Sequence, residues 1–239
     1  MTIHYDPKPD SASPYSRVNK RYAQTVLRDT TAPSSGLYRT AFKRVLDIAL
    51  VCLAAPIIVL TVALLALLAL GAARDGGNPF YCQDRVGRDG RVFRMWKLRT
   101  MVLDADARLA DHLASDATAR REWDTSQKLK SDPRITRFGR MLRKCSLDEL
   151  PQLWNVLTGE MSLVGPRPMM TSQQDIYPGT AYYRLRPGIT GSWQVSRRNE
   201  SSFAERAHFD TDYEQSLALG TDLRLLFRTV GVVLRATGY

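Results

Sequence analysis

Asp148 and Glu149 stand side by side in "SLDELPQLWNV", between the basic run "RITRFGRMLRKC" and a loop built from Gly165, Pro166, Arg167 and Pro168. Adjacent acids have an ordinary structural use: Ser146 and Glu149 carry the S-x-x-E spacing of a helix capping box. Pro151 argues against that use. With Ser146 as cap it would be the fifth helical residue, where its missing N–H and its ring both disrupt the ladder. The helix is therefore expected to begin no earlier than Asp148, as N-cap, with Glu149 behind it. A simple Asp148 cap remains the structural alternative to a chemical role. The chemical role follows from the surroundings. A helix N-terminus favours negative charge and offers free N–H groups to a phosphate. Arg143, five residues upstream, and Arg167 can each grip a phosphate bidentately. A carboxylate beside such a phosphate can attack phosphorus or hold a cation, and two carboxylates can divide these tasks.

The elements that must position these groups can be read from the rest of the chain. Residues 1–40 are polar, rich in Ser, Thr, Pro and Arg, and read as a flexible tail. Residues 45–71 are apolar except for Asp47, long enough for a bilayer and too far from the start for a signal peptide. Arg39, Lys43 and Arg44 flank one end of this stretch; Arg74, Arg85, Arg88 and Arg91 follow the other, so both ends favour the cytoplasm. Pro56, near the middle, should kink the helix. A helix that enters one leaflet, bends at Pro56 and returns accounts for both features; a straight span is the alternative. Downstream, alternating residues around Asp89-Gly90 predict a β-hairpin. Helices are expected over 104–123, up to Lys144, over 149–158 with a stop at Gly159, and over 202–217 and 222–236. In the last of these Arg224, Arg228 and Arg235 form one basic stripe on an apolar helix, as suits a membrane interface.

Composition narrows the partners. The chain has 239 residues and a net charge of +10, which implies an anionic partner such as a phosphorylated substrate, anionic lipid or nucleic acid. No nucleic-acid partner is expected, because the basic run lacks interleaved aromatics and no nucleic-acid motif is present. The three cysteines lack metal-ligand spacing and point to a reducing compartment; the three histidines show no zinc pattern.

"KLRTM" (97–101), the run 132–168 ending in "GPRP", "RPGITGSWQV" (186–195), and "FD" with the later "TDLRLL" (209–226) together resemble the bacterial sugar transferases, the monotopic polyprenyl-phosphate phosphoglycosyltransferases. The resemblance covers about residues 40–239. It implies transfer of a sugar-1-phosphate from a UDP-sugar to undecaprenyl phosphate, with release of UMP, as the first membrane step of exopolysaccharide or surface-glycan synthesis. It further implies Asp148 as nucleophile, a covalent phosphosugar intermediate, and Glu149 as a Mg²⁺ ligand. The substrate-binding positions it marks are Lys97, Arg143, Pro166, Arg167, Pro168, Arg198 and Asp210. The family's N-G-R-N is replaced here by Ser196-Arg197-Arg198-Asn199, and a large apolar residue by Ser192. A proline-kinked re-entrant helix, located in the bacterial inner membrane with the catalytic domain on the cytoplasmic face, is also implied.

The expected fold class is α+β, mainly helical. A re-entrant membrane helix (41–73) follows the tail (1–40) and precedes a compact cytoplasmic catalytic domain (74–239) with a small β-hairpin and interfacial amphipathic helices. The small size and apolar anchor permit a homodimer. A non-catalytic membrane scaffold of polysaccharide export is the rival reading, but it leaves the Asp-Glu pair, Arg143 and the GPRP loop without a common purpose.

Overall fold

The computed structural model describes residues 36–73, 77–127, 129–196 and 202–234. A π-helical turn at Tyr38–Phe42 runs into α1, Lys43–Ala73, which passes through Pro56 without interruption. Helix thus begins within the stretch read as tail, at Tyr38. At 1.5 Å per residue, a helix of this length exceeds the roughly 30 Å of a bilayer's hydrocarbon core. Its outward residues, among them Leu53, Ile57, Leu60, Leu64 and Leu67, are exposed apolar groups.

The inward residues of α1 rest on the globular body at both ends. Near its start, Val51 packs with Phe93, Met95, Val156 and Met161. Further along, Leu65 and Ala66 pack with Leu98 and Leu142. Polar contacts reinforce the first junction. Arg44 donates to the carbonyls of Val156 and Leu157, and buried Asp47 accepts from the Ser162 hydroxyl at 2.7 Å and the Leu163 N–H at 3.3 Å.

The hairpin forms as the alternation predicts. Strands β1 (Phe80–Val86) and β2 (Val92–Leu98) pair antiparallel from Phe80↔Leu98 to Val86↔Val92. Asp89 and Gly90 both adopt positive φ, 59° and 75°, which explains that residue pair at the turn. The helix expected over 104–123 is two helices, α2 (Ala105–Ser115) and α3 (Ala117–Ser126). Asp116 divides them: in extended conformation, its side chain accepts from the N–H groups of Thr118 and Ala119 and starts a new helix.

Helix α4 (Arg137–Lys144) crosses the end of β2 at Gly139, where a Cβ would lie 2.1 Å from the Thr100 carbonyl oxygen. Only glycine permits that approach. Helix α5 (Gln152–Thr158) ends on Gly159, at φ 88°, as expected. Its start differs from the expectation: Asp148 is not its N-cap. Asp148 and Glu149 lie instead in a 3₁₀ turn, Leu147–Glu149, and α5 begins after Pro151. The cause is Pro151, which has no N–H to offer the Leu147 carbonyl; the Leu150 N–H takes that oxygen at 3.3 Å, and three-residue rings carry the chain into α5. The capping box is absent too, since Ser146 sits at φ 54° with no side-chain cap.

Strand β3 (Ser162–Val164) pairs in parallel with β4 (Gly188–Thr190), bringing the GPRP loop against the PGITG segment. The Gly165 N–H donates to Thr190 O at 2.9 Å, and the Gly188 N–H to Pro166 O at 2.8 Å. A Cβ on Gly188 would stand 2.1 Å from the Gly165 nitrogen, so the two motifs meet backbone to backbone. Short helices α6 (Ala181–Arg184) and α7 (Ser192–Val195) lead to α8 (Arg206–Gln215), shorter than the expected 202–217, and to α9 (Leu219–Leu234), which begins three residues before the expected start at 222. On α9, Leu225 is buried, while Leu223, Phe227 and Val230 are exposed. The exposed face also carries Arg224 and Arg228; Arg235 lies outside the described residues.

Candidate active site

The 3₁₀ turn that carries the two acids is held from below by Leu147 and Leu150, which pack on the cluster containing Leu65 and Ala66 of α1. In such a turn successive side chains diverge by about 120°, yet both carboxylates interact with Lys97. Asp148 is only 5% exposed. Glu149 meets Lys97, with Nζ 2.9 Å from Oε1. Lys97 is aimed by β2: Phe93 and Met95 face the core, and the two-residue period puts Lys97 on the same side. Asn155 locks strand to helix. It is fully buried, accepts from the Trp96 N–H at 3.1 Å and donates to Arg94 O at 2.8 Å.

Arg143 comes from the last turn of α4. Its Nε donates to the Thr100 hydroxyl at 2.8 Å, a contact that the close crossing at Gly139 allows. Arg143 and Asp148 act on each other electrostatically. Burial raises the Asp148 carboxyl above its usual range; Lys97 and Arg143 oppose that rise, and Glu149 adds to it. The positive field around the acids thus comes from side chains, since the amides of Leu153 and Trp154 are spent on the Leu150 and Pro151 carbonyls.

These groups line one cleft of about 1580 Å³. Arg167 and Pro168 line it as well, whereas Pro166 serves the β3–β4 ladder. Asp210 does not line it. That carboxylate is buried on α8, accepts from Tyr177 Oη at 2.7 Å, and acts on Arg206. Arg198 lies outside the described residues.

Two arginines in the cleft escaped the sequence reading. Arg85, next to last in β1, reaches the Pro168 carbonyl, Nη1 to O 3.4 Å, while the Val86 N–H bonds Met169 O at 3.0 Å. Arg206 is stacked, its guanidinium carbon 4.3 Å from the centre of the Trp193 ring and 4.6 Å from that of Phe203. Arg167 lies over the same Trp193 ring at 5.8 Å. The i, i+4 spacing of Arg206 and Asp210 was the available signal, since it puts both on one helix face.

Among the described residues, no group of three or more His, Cys, Asp or Glu could enclose a metal ion. Of the acids that line the cleft, Asp148 and Glu149 are the two that lie together beside Lys97. A pair of carboxylates suits Mg²⁺, which typically takes one or two protein oxygens and completes its shell from phosphates and water.

A compact body seated on an apolar helix, with a buried acid facing basic side chains, is what an enzyme acting on phosphorylated substrates at a membrane requires. The bacterial sugar transferase family matches residues 38–236, and the chain belongs to it. It is 50% identical over 184 residues to the UDP-galactose-lipid carrier transferase of Erwinia amylovora, covering 76% of this chain and 39% of that protein. It is 46% identical to the undecaprenyl-phosphate galactose phosphotransferase of Salmonella typhimurium, covering 86% of this chain and 42% of that one. A shorter relative, the exopolysaccharide production protein ExoY of Sinorhizobium fredii, is 43% identical, covering 82% of this chain and 87% of its own length. The chain therefore spans about two-fifths of the first two relatives and most of the third.

Proposed function

We propose that this chain transfers a sugar-1-phosphate from a UDP-sugar to undecaprenyl phosphate, releasing UMP, at the cytoplasmic face of the inner membrane. The observation that carries this reading is the placement of Asp148. A buried carboxylate faces Lys97 and Arg143, directly above the membrane helix, where a soluble anionic donor and a lipid-borne anionic acceptor can both reach it. Donor and acceptor repel each other, and splitting the transfer avoids holding both at once. In the first step an Asp148 oxygen bonds to the sugar-bearing phosphorus and UMP departs. In the second, the acceptor phosphate displaces Asp148. Lys97 and Arg143 hold the sugar-bearing phosphate, with Thr100 fixing the guanidinium. Mg²⁺, held by Glu149 with Asp148 close by, supplies charge neutralisation to the diphosphate when bound.

Support for re-entry of α1 comes from its two junctions: Val51 and Leu65 both pack on one body, which lies on one side of a membrane. The exposed Phe227 and Val230 beside Arg224 and Arg228 support an interfacial α9.

The test uses purified protein, Mg²⁺ and UDP-galactose or UDP-glucose, without lipid acceptor. About one UMP per active site should appear, together with a protein-bound sugar phosphate, as a covalent two-step route requires. Asp148→Asn should abolish both. Release of UMP only after addition of polyprenyl phosphate would replace this route with direct transfer.

A further inference from the structure

The cleft contains more positive charge than the residues assigned so far can use. Arg206 is 7% exposed, and its guanidinium lies against the rings of Trp193 and Phe203, which supply no hydrogen-bond acceptor for it. Its Nε is buried without an acceptor, and so is the Nε of Arg85. Arg85 spends its other nitrogens on Pro168 O and on Gln83 Oε1. Arg167 acts on both and disfavours their charge. Asp210 acts favourably on Arg206 and Glu149 on Arg85, but three cations converge on this part of the cleft. Burial lowers Arg85 to about 10 and Arg206 to about 9, so both stay charged at neutral pH. A buried cation left unpartnered is costly, and a bound anion removes that cost.

We infer that Arg206 and Arg85, with Arg167, form a second phosphate subsite that takes a phosphomonoester and is used twice in each catalytic cycle. This inference rests on the two-step reading above. When the Asp148 oxygen bonds to the sugar-bearing phosphorus, the bond from that phosphorus to the bridging oxygen breaks. The electron pair stays on the bridging oxygen, and the nucleotide leaves as a monophosphate with one more negative charge. Cations fixed where that charge develops stabilise the transition state. In-line displacement then dictates the second use. The departing group leaves opposite Asp148, and the nucleophile that later expels Asp148 must enter from that same side. The acceptor's phosphate is also a monoester, so the pocket vacated by one receives the other.

Binding to wild-type protein that carries no phosphosugar tests this, because UMP and a short-chain prenyl phosphate do not react with each other without donor sugar. Each should bind, and prenyl phosphate should displace UMP in titration calorimetry. Arg206→Gln and Arg85→Gln should each weaken both ligands at least about tenfold, as loss of a charge-assisted contact implies. Arg206→Lys should restore part of the UMP affinity, which a purely structural role would not produce. Simultaneous binding of the two ligands would overturn the shared pocket. Unchanged UMP affinity in both Gln variants would remove the subsite altogether. Should Arg206→Gln not fold, Arg85→Gln decides alone. Charging of the wild-type protein by UDP-sugar, measured beside these titrations, reports on the two-step reading separately.

Discussion

Arg143 shows how one side chain is tuned by its neighbours. Its Nε is taken by Thr100, which turns the rest of the guanidinium toward Asp148. Lysine keeps the charge at that position but loses the fork and the Nε contact. Arg143→Lys is therefore expected to lower kcat/KM by about tenfold or more, as loss of one charge-assisted bond implies; steady-state UMP release checks it. Asp210 offers a test by pH. Burial pushes its carboxyl up to about 7, against the opposing hydrogen bond from Tyr177 and the charge of Arg206. A carboxyl raised on folding favours the folded state most at low pH, and that contribution is lost as pH rises through the folded value. The stability of the parent should therefore decline between about pH 4 and pH 7 through this group. Asp210→Asn should flatten that part of the curve, as read from thermal midpoints across the range.

At the level of elements, the active site is assembled by close crossings. Gly139 lets α4 touch Thr100, and Gly188 lets β4 touch the GPRP loop. Asn155 ties α5 to β2 through backbone groups that a third strand would otherwise use. Helix α1 completes the frame by supporting the dyad turn through Leu65 and Ala66. Its two junctions with the body lead to a topological prediction. Single cysteines at Thr40 and Asn78 should both resist a membrane-impermeant thiol reagent in intact cells and react after lysis. Labelling of either from outside would mean that α1 crosses the bilayer. Pro56→Leu restores a backbone donor in mid-helix and should push a fraction of molecules toward crossing, seen as labelling at one end.

Across the whole molecule, Asp222 joins segments that are far apart in the chain. Buried on α9, it accepts from Tyr38 Oη at 2.6 Å, from Tyr213 Oη at 2.7 Å, and from the Lys43 ammonium at 2.6 Å. Nearby, Glu214 pairs with both Arg39 and Arg184. The start of α1 and the turn before it are thus pinned to α8 and α9 by ionic contacts. Asp222→Ala leaves Lys43 and two hydroxyls without their acceptor and should cost about 3 kcal/mol, as for other broken buried pairs. A lowered thermal midpoint in detergent, with Asp222→Asn intermediate, would register it.

Local pattern was enough for the apolar helix, the Asp89-Gly90 hairpin, the stop at Gly159 and the failure of the capping box, because each depends on residues within a few positions of one another. The long motifs marked the dyad, Lys97, Arg143 and Arg167, and each of these lines the cleft. The start of α5 lies three residues beyond the expected one because a proline excludes one hydrogen-bond pattern without naming its replacement; 3₁₀ rings fill the gap. Arg85 and Arg206 stand out only in the folded chain, for a different reason. An isolated arginine on a strand or helix reads as a solvated charge, and only the packing of Trp193, Phe203 and the GPRP loop encloses these two. Burial of a charge belongs to the assembled chain: the GPRP loop reaches Arg85 from 83 positions away, and no spacing within one motif encodes that contact.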